Sequence, residues 1–115
     1  MTVRFFASKE VLREWFEANA GSEPEIILGF YKKGASKQGV AYDDAEIEGL
    51  RFGWIDSITR RIDDESYSIR FTPRRPKSNW TDRNLSRVEE MIANDDIHPL
   101  GLAAYERRKR VEGGE

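Results

Sequence analysis

Cysteine is absent from the 115-residue chain, which excludes disulfides, thiol nucleophiles and thiolate metal sites together. Histidine occurs once, as His98 before Pro99, with no second ligand at metal-binding spacing; it reads as a loop residue rather than a metal ligand. No stretch approaches the roughly eighteen successive apolar residues of a membrane span. The opening MTVRFFASKE also lacks the apolar run of a signal peptide. The expected compartment is therefore the cytoplasm, with no membrane insertion. Charge of one sign is not in excess either. At a net charge of −2 the molecule as a whole draws neither nucleic acid nor an anionic membrane, so any binding must rest on local charge. GFYKKGASKQG (29–39) carries glycines and lysines in neither the P-loop nor the dinucleotide-binding order, and no cofactor is expected. No Ser-His-acid set stands out.

What is present suffices for one modest core. Hydrophobic residues make up 38% and charged residues 35%, so the apolar groups must gather on a few faces of a single domain spanning 1–115. Ser8 is placed to cap a helix in which Val11, Leu12, Trp15 and Phe16 recur at helical spacing, and Gly21 closes it. EIILGFYK (25–32) reads as a buried strand. Asp43 with Glu46 forms a capping-box-like pair at the start of a short helix whose inner stripe is Ile47 and Leu50. WIDSITRRI (54–62) and SYSIRFTP (66–73) alternate with period two about a short acidic loop, a hairpin signature. Thr81 or Asp82 caps a helix striped by Leu85, Val88, Met91 and Ile92, and Pro99 opens a last short helix. The charged tail from about residue 107 is expected to fray. The fold class is α+β: a small mixed β-sheet with a central hairpin, covered by about four short helices.

Symmetric closure of the hairpin sets Ile62 opposite Tyr67, Arg60 opposite Ile69, Ile58 opposite Phe71 and Asp56 opposite Pro73. Trp54, Ile58, Ile62, Tyr67, Ile69 and Phe71 then share a core face, and Asp56 is a carboxylate stranded among them. It needs a partner, because desolvation otherwise costs several kcal/mol or forces protonation. Arg60 and Arg75 are within reach. Two readings stand: a structural anchor paired with one of these arginines, or a group that orients an arginine toward an anion or transfers protons.

Downstream, Arg70, Arg74, Arg75, Lys77, Arg83 and Arg87 face one acid, Asp82, around Pro73, Pro76 and Trp80. Arginine forks with Ser78 and a helix N-terminus suit a phosphate or carboxylate, and Trp54 with Trp80 would supply an apolar wall. The alternative is a solvated loop with Trp80 as a core plug. Nucleic acid fits poorly, since the patch is short and bordered by acidic runs.

The run Phe52-Gly53-Trp54-Ile55-Asp56-Ser57, followed by Arg70-Phe71-Thr72-Pro73-Arg74-Arg75, Lys77-Ser78-Asn79-Trp80 and Asn84, resembles the YdeI/OmpD-associated family (a bacteriocin-protection-like, OmdA-type domain). Trp15 and the stretch from Phe30 to Lys33 extend the resemblance over most of the chain. It implies a small bacterial domain with a proposed genetic link to bacteriocin protection or a porin, and no defined chemistry. The expected function is a binding module for a small anionic ligand at Arg70, Arg74, Arg75, Lys77, Ser78 and Trp80, with Trp54, Asp56 and Arg60 as orienting residues. The alternative is a protein-interaction domain in a stress or bacteriocin-protection response. An enzyme using Asp56 as base ranks last, for want of a second catalytic group.

Overall fold

The computed structural model describes residues 2–113. Its order is β1 (Val3–Phe5), α1 (Lys9–Asn19), β2 (Ile26–Tyr31), α2 (Tyr42–Arg51), β3 (Trp54–Arg61), β4 (Ser66–Pro73), α3 (Asp82–Ala93) and α4 (Pro99–Gly113). The architecture is the α+β fold that the sequence predicts, a mixed four-stranded sheet in the order β1-β2-β4-β3 with four helices. The short first strand was not expected. It joins β2 in parallel, Val3 opposite Ile27 and Phe5 opposite Gly29, and three residues are too few for a period-two signal. No helix among the described residues is long and apolar enough to cross a membrane.

Capping follows side-chain chemistry. Ser8 accepts from the Val11 N–H at 3.3 Å, and Thr81, rather than Asp82, accepts from the Asn84 N–H at 3.1 Å. The Asp43–Glu46 box does not form: α2 begins a residue earlier at Tyr42, and no side chain caps it. The last helix, α4, runs through Gly113, and residues 114 and 115 of the tail expected to fray lie outside the described ones.

Helices cover one side of the sheet. There Ile26, Leu28 and Phe30 of β2, Ile69 and Phe71 of β4 and Trp54 of β3 join Leu12 and Phe16 of α1 in the main core. Leu50, Val88, Met91 and Tyr105 form a second cluster between helices, with Trp80 packed against it. Alternation sends Ile27, Gly29 and Tyr31, with Ser66, Ser68 and Arg70, to the opposite side.

The hairpin register departs from symmetric closure. Arg61 lies opposite Tyr67, Arg60 opposite Ser68 and Thr59 opposite Ile69; beyond a bulge, Asp56 pairs with Phe71 and Trp54 with Pro73. Two causes act. At the turn, Asp63 accepts from the Glu65 N–H at 2.8 Å and the Ser66 hydroxyl at 2.9 Å, which closes the loop one residue off the symmetric count. At the bulge, Ser57 and Ile58 together oppose Arg70, so alternation on β3 changes phase there. Ile58 and Ile62 consequently leave the expected core face and stand 52% and 39% exposed.

Candidate functional site

Asp56 keeps the core-side position that its spacing predicts, but its partner is neither Arg60 nor Arg75. The Tyr42 hydroxyl donates to Asp56 Oδ2 at 2.6 Å. Tyr42 and Glu46 are one helical turn apart on α2, and a weaker 3.3 Å contact links that hydroxyl to Glu46 Oε2. Glu46 Oε1 in turn receives Arg87 Nη1 of α3 at 2.7 Å. A continuous chain of polar groups, Arg87–Glu46–Tyr42–Asp56, thus joins two helices to the first strand of the hairpin. Burial, followed by the hydrogen bond to Asp56 and the Asp56 charge, pushes the Tyr42 phenol well above its ordinary pKa.

Arg74 closes this site from behind. It is 5% exposed, donates to the Trp54 carbonyl at 3.2 Å and the Asn79 carbonyl at 2.7 Å, and lies 4.1 Å from the Trp80 ring centroid. Burial pushes its guanidinium down to about 10, against the holding fields of Asp56 and Glu46. It stays charged at neutral pH as the buried counter-charge to the carboxylates.

In front of the network opens a cleft of about 390 Å³, lined by Glu46, Ile55 and Asp56 on the α2–β3 side and by Asn79, Thr81, Arg83 and Asn84 on the other. GWIDS and RFTPRRPKSNW meet here. The α2 and β3 residues of the lining offer carboxylate acceptors, and the rest offer amides, a guanidinium and the head of α3, where helix N–H groups lack intrahelical partners and Thr81 takes up that of Asn84. Arg83 is only loosely held, 3.5 Å from Asp43. A larger hollow of about 500 Å³ lies beside Arg4, Trp15, Asn19 and Pro24, and no residue of either motif lines it; its amide, Asn19 Nδ2, is spent on the Trp15 carbonyl.

The residues expected to gather around an anion go to separate places. Arg70 Nε pairs with Glu25 Oε1 at 2.6 Å on the opposite side of the sheet. Arg60 stands on that side too. Arg75 and Lys77 are exposed in the loop, and the Ser78 hydroxyl is taken up by the Arg75 N–H at 2.8 Å, which ties the turn. Trp54 is buried, with its indole N–H on the Ala20 carbonyl at 3.3 Å, so it forms no wall with Trp80, whose ring packs toward Tyr105. His98 lies against Phe52, ring centroids 4.7 Å apart, and its Nδ1 accepts the Leu100 N–H. Among the described residues no group of three or more His, Asp or Glu side chains could hold a metal ion.

Tyr42, Glu46 and Arg87 were not singled out as site residues in the sequence, and Asn84 entered only through the family resemblance. The one available signal was the i, i+4 spacing of Tyr42 and Glu46. A second polar node went unseen altogether. Glu48, 1% exposed, is gripped by Arg13 through both carboxylate oxygens at 2.9 and 2.7 Å and by Arg51 at 3.1 Å.

A family model described as "Domain of unknown function (DUF8412)" matches residues 4–104. No curated protein and no solved structure matches the chain.

Proposed function

The chain belongs to that family of domains of unknown function, and from the chemistry of its cleft we propose a cytoplasmic binding module for a small ligand. The ligand carries an anionic group at one end and a cationic or hydroxylic donor at the other, as an amino acid does. One observation carries the reading: carboxylate acceptors and amide and guanidinium donors line the same cleft. The anionic end suits Arg83, Asn79, Asn84 and the head of α3. The donor end suits Asp56 and Glu46. Arg74 behind the cleft offsets the charge of the carboxylates, so the site need not bind a cation alone. Kinship with the YdeI/OmpD-associated family, suggested by the paired motifs, is part of the same proposal; it adds no chemistry of its own.

Thermal shift and calorimetry test this with amino acids, matched carboxylates lacking the amine, matched amines lacking the acid, and inorganic phosphate. The zwitterions should stabilise the protein more than either half-molecule. Asp56→Asn retains an acceptor for Tyr42 and should weaken binding roughly tenfold or more, the usual worth of a charge-assisted hydrogen bond. If no compound raises the melting temperature, or the variant responds like the wild type, the cleft is not the binding site.

A further inference from the structure

The loop that joins β2 to α2 concentrates positive charge. Three of the chain's six lysines, Lys32, Lys33 and Lys37, fall within six residues, and no acid occurs between Glu25 and Asp43. Folding leaves that charge uncompensated. The ion pairs of the described residues are made by arginines, and these three lysines take part in none. Asp43, at the end of the loop, faces Arg83. The acid that reaches the loop is Glu65 of the hairpin turn, which gives one oxygen to the Ser36 N–H at 2.7 Å and the other to its hydroxyl at 3.3 Å. Three cations against that one carboxylate leave an excess of two positive charges. The loop is nonetheless tied down. The Lys32 N–H donates to the Glu65 carbonyl at 2.8 Å, the Ala35 N–H closes a turn on the Lys32 carbonyl at 3.0 Å, and the Val40 N–H reaches the Phe6 carbonyl at 2.8 Å.

Beside the loop lies a hollow of about 320 Å³, whose lining includes all three lysines and no acid. Aromatic rings share that lining. Phe30 stacks on Tyr67, ring centroids 5.5 Å apart, and meets Tyr42 edge-on at 6.0 Å. Tyr67 is half-buried, and its hydroxyl has no hydrogen-bond partner among the described residues. We propose that this hollow binds a small phosphate ester carrying a flat ring, as a nucleotide does. A phosphate monoester brings about 1.5 to 2 negative charges at neutral pH, which matches the local excess. Lysine ammonium groups hold phosphate as point charges and do not need the fork geometry of arginine. The volume is that of a small-molecule site, and the rings offer apolar contact to the ring of the ligand while the Tyr67 hydroxyl offers a polar one. The site is distinct from the cleft: Tyr42 lines it, but the Tyr42 hydroxyl is given to Asp56.

Isothermal titration calorimetry with adenosine diphosphate, pyrophosphate and adenosine tests the proposal. Adenosine diphosphate should bind, and each half-molecule should bind more weakly. The double variant Lys33→Gln/Lys37→Gln should weaken binding of adenosine diphosphate roughly tenfold or more, as loss of charge-assisted contacts does. Both side chains are exposed, so without ligand its melting temperature should match that of the wild type. No lysine lines the cleft, so this loss separates the two sites. Lys9→Gln, at the start of α1, should leave the affinity unchanged. A wild type that binds no adenosine diphosphate overturns the proposal. So does a double variant that binds it as the wild type does, a Lys9→Gln variant weakened as much as the double variant, or pyrophosphate bound as tightly as adenosine diphosphate.

Discussion

A phenol that gives its only proton to Asp56 at 2.6 Å resists ionisation, and Tyr42 is such a phenol. Its folded pKa lies above the ordinary value of 10.0. Above that pH the native state therefore binds more protons than the unfolded chain, and stability falls as pH rises. Tyr42→Phe should cost about 1–2 kcal/mol at neutral pH, through the lost hydrogen bond to a carboxylate. Between about pH 9 and 12 the gap to the wild type should shrink. Arg74 pulls the other way over that range, since its folded pKa is lowered and the unfolded chain holds its proton longer. Urea denaturation of both proteins across pH isolates the tyrosine; a constant gap refutes the account. Asp56 was conspicuous in the sequence because a carboxylate at a core-facing position demands a partner. The identity of that partner was not legible. Asp56 and Tyr42 meet only when α2 packs across β3, and no local spacing reports that packing.

At the scale of elements, the turn from α2 into β3 depends on Gly53, with φ near 80°. A Cβ there would stand 2.7 Å from the Leu100 carbonyl oxygen at the head of α4. Left-handed strain and the clash add, so Gly53→Ala should lose about 3 kcal/mol. Gly34→Ala makes the comparison: its φ is near 87°, but nothing lies within 4 Å, and only the strain of about 1 kcal/mol should appear. Equal losses for both in urea denaturation would show that the contact with Leu100 is unimportant. The hairpin strands were readable, because period-two alternation marks them directly. Their register was not. Alternation runs unbroken through Ile58 and Ile62 in the sequence, so nothing there marks the residue that the bulge inserts. The carboxylate of Asp63 then reshapes a turn that strand counting treats as symmetric.

For the whole molecule, the buried Glu48 node holds together parts that the sheet does not. Arg13 ties it to α1, while Arg51 extends from it to Asp96 at 2.7 Å, at the entry to α4. Removing the carboxylate leaves Arg51, 10% exposed, facing a void. Glu48→Ala should therefore destabilise by about 3 kcal/mol, well beyond the median for a surface pair, with its thermal midpoint lowered by several degrees. A loss below about 1 kcal/mol would mean that water replaces the carboxylate. Glu48 lies on another face of α2 from Tyr42 and Glu46, so ligand responses at the cleft should survive the substitution.

By itself the sequence determined the fold class, most of the elements and their caps, and the two motifs that would matter, because periodicity, capping chemistry and turn residues act over a few neighbours. Only the tertiary structure decided what those motifs do together. It buried Arg74 and Trp54 as supports and sent Arg70 and Arg60 to the uncovered side of the sheet. It also brought Tyr42, Glu46 and Arg87 from two helices to Asp56. These outcomes depend on a bulge and on helix packing, which couple residues far apart in the chain and leave no local trace in it.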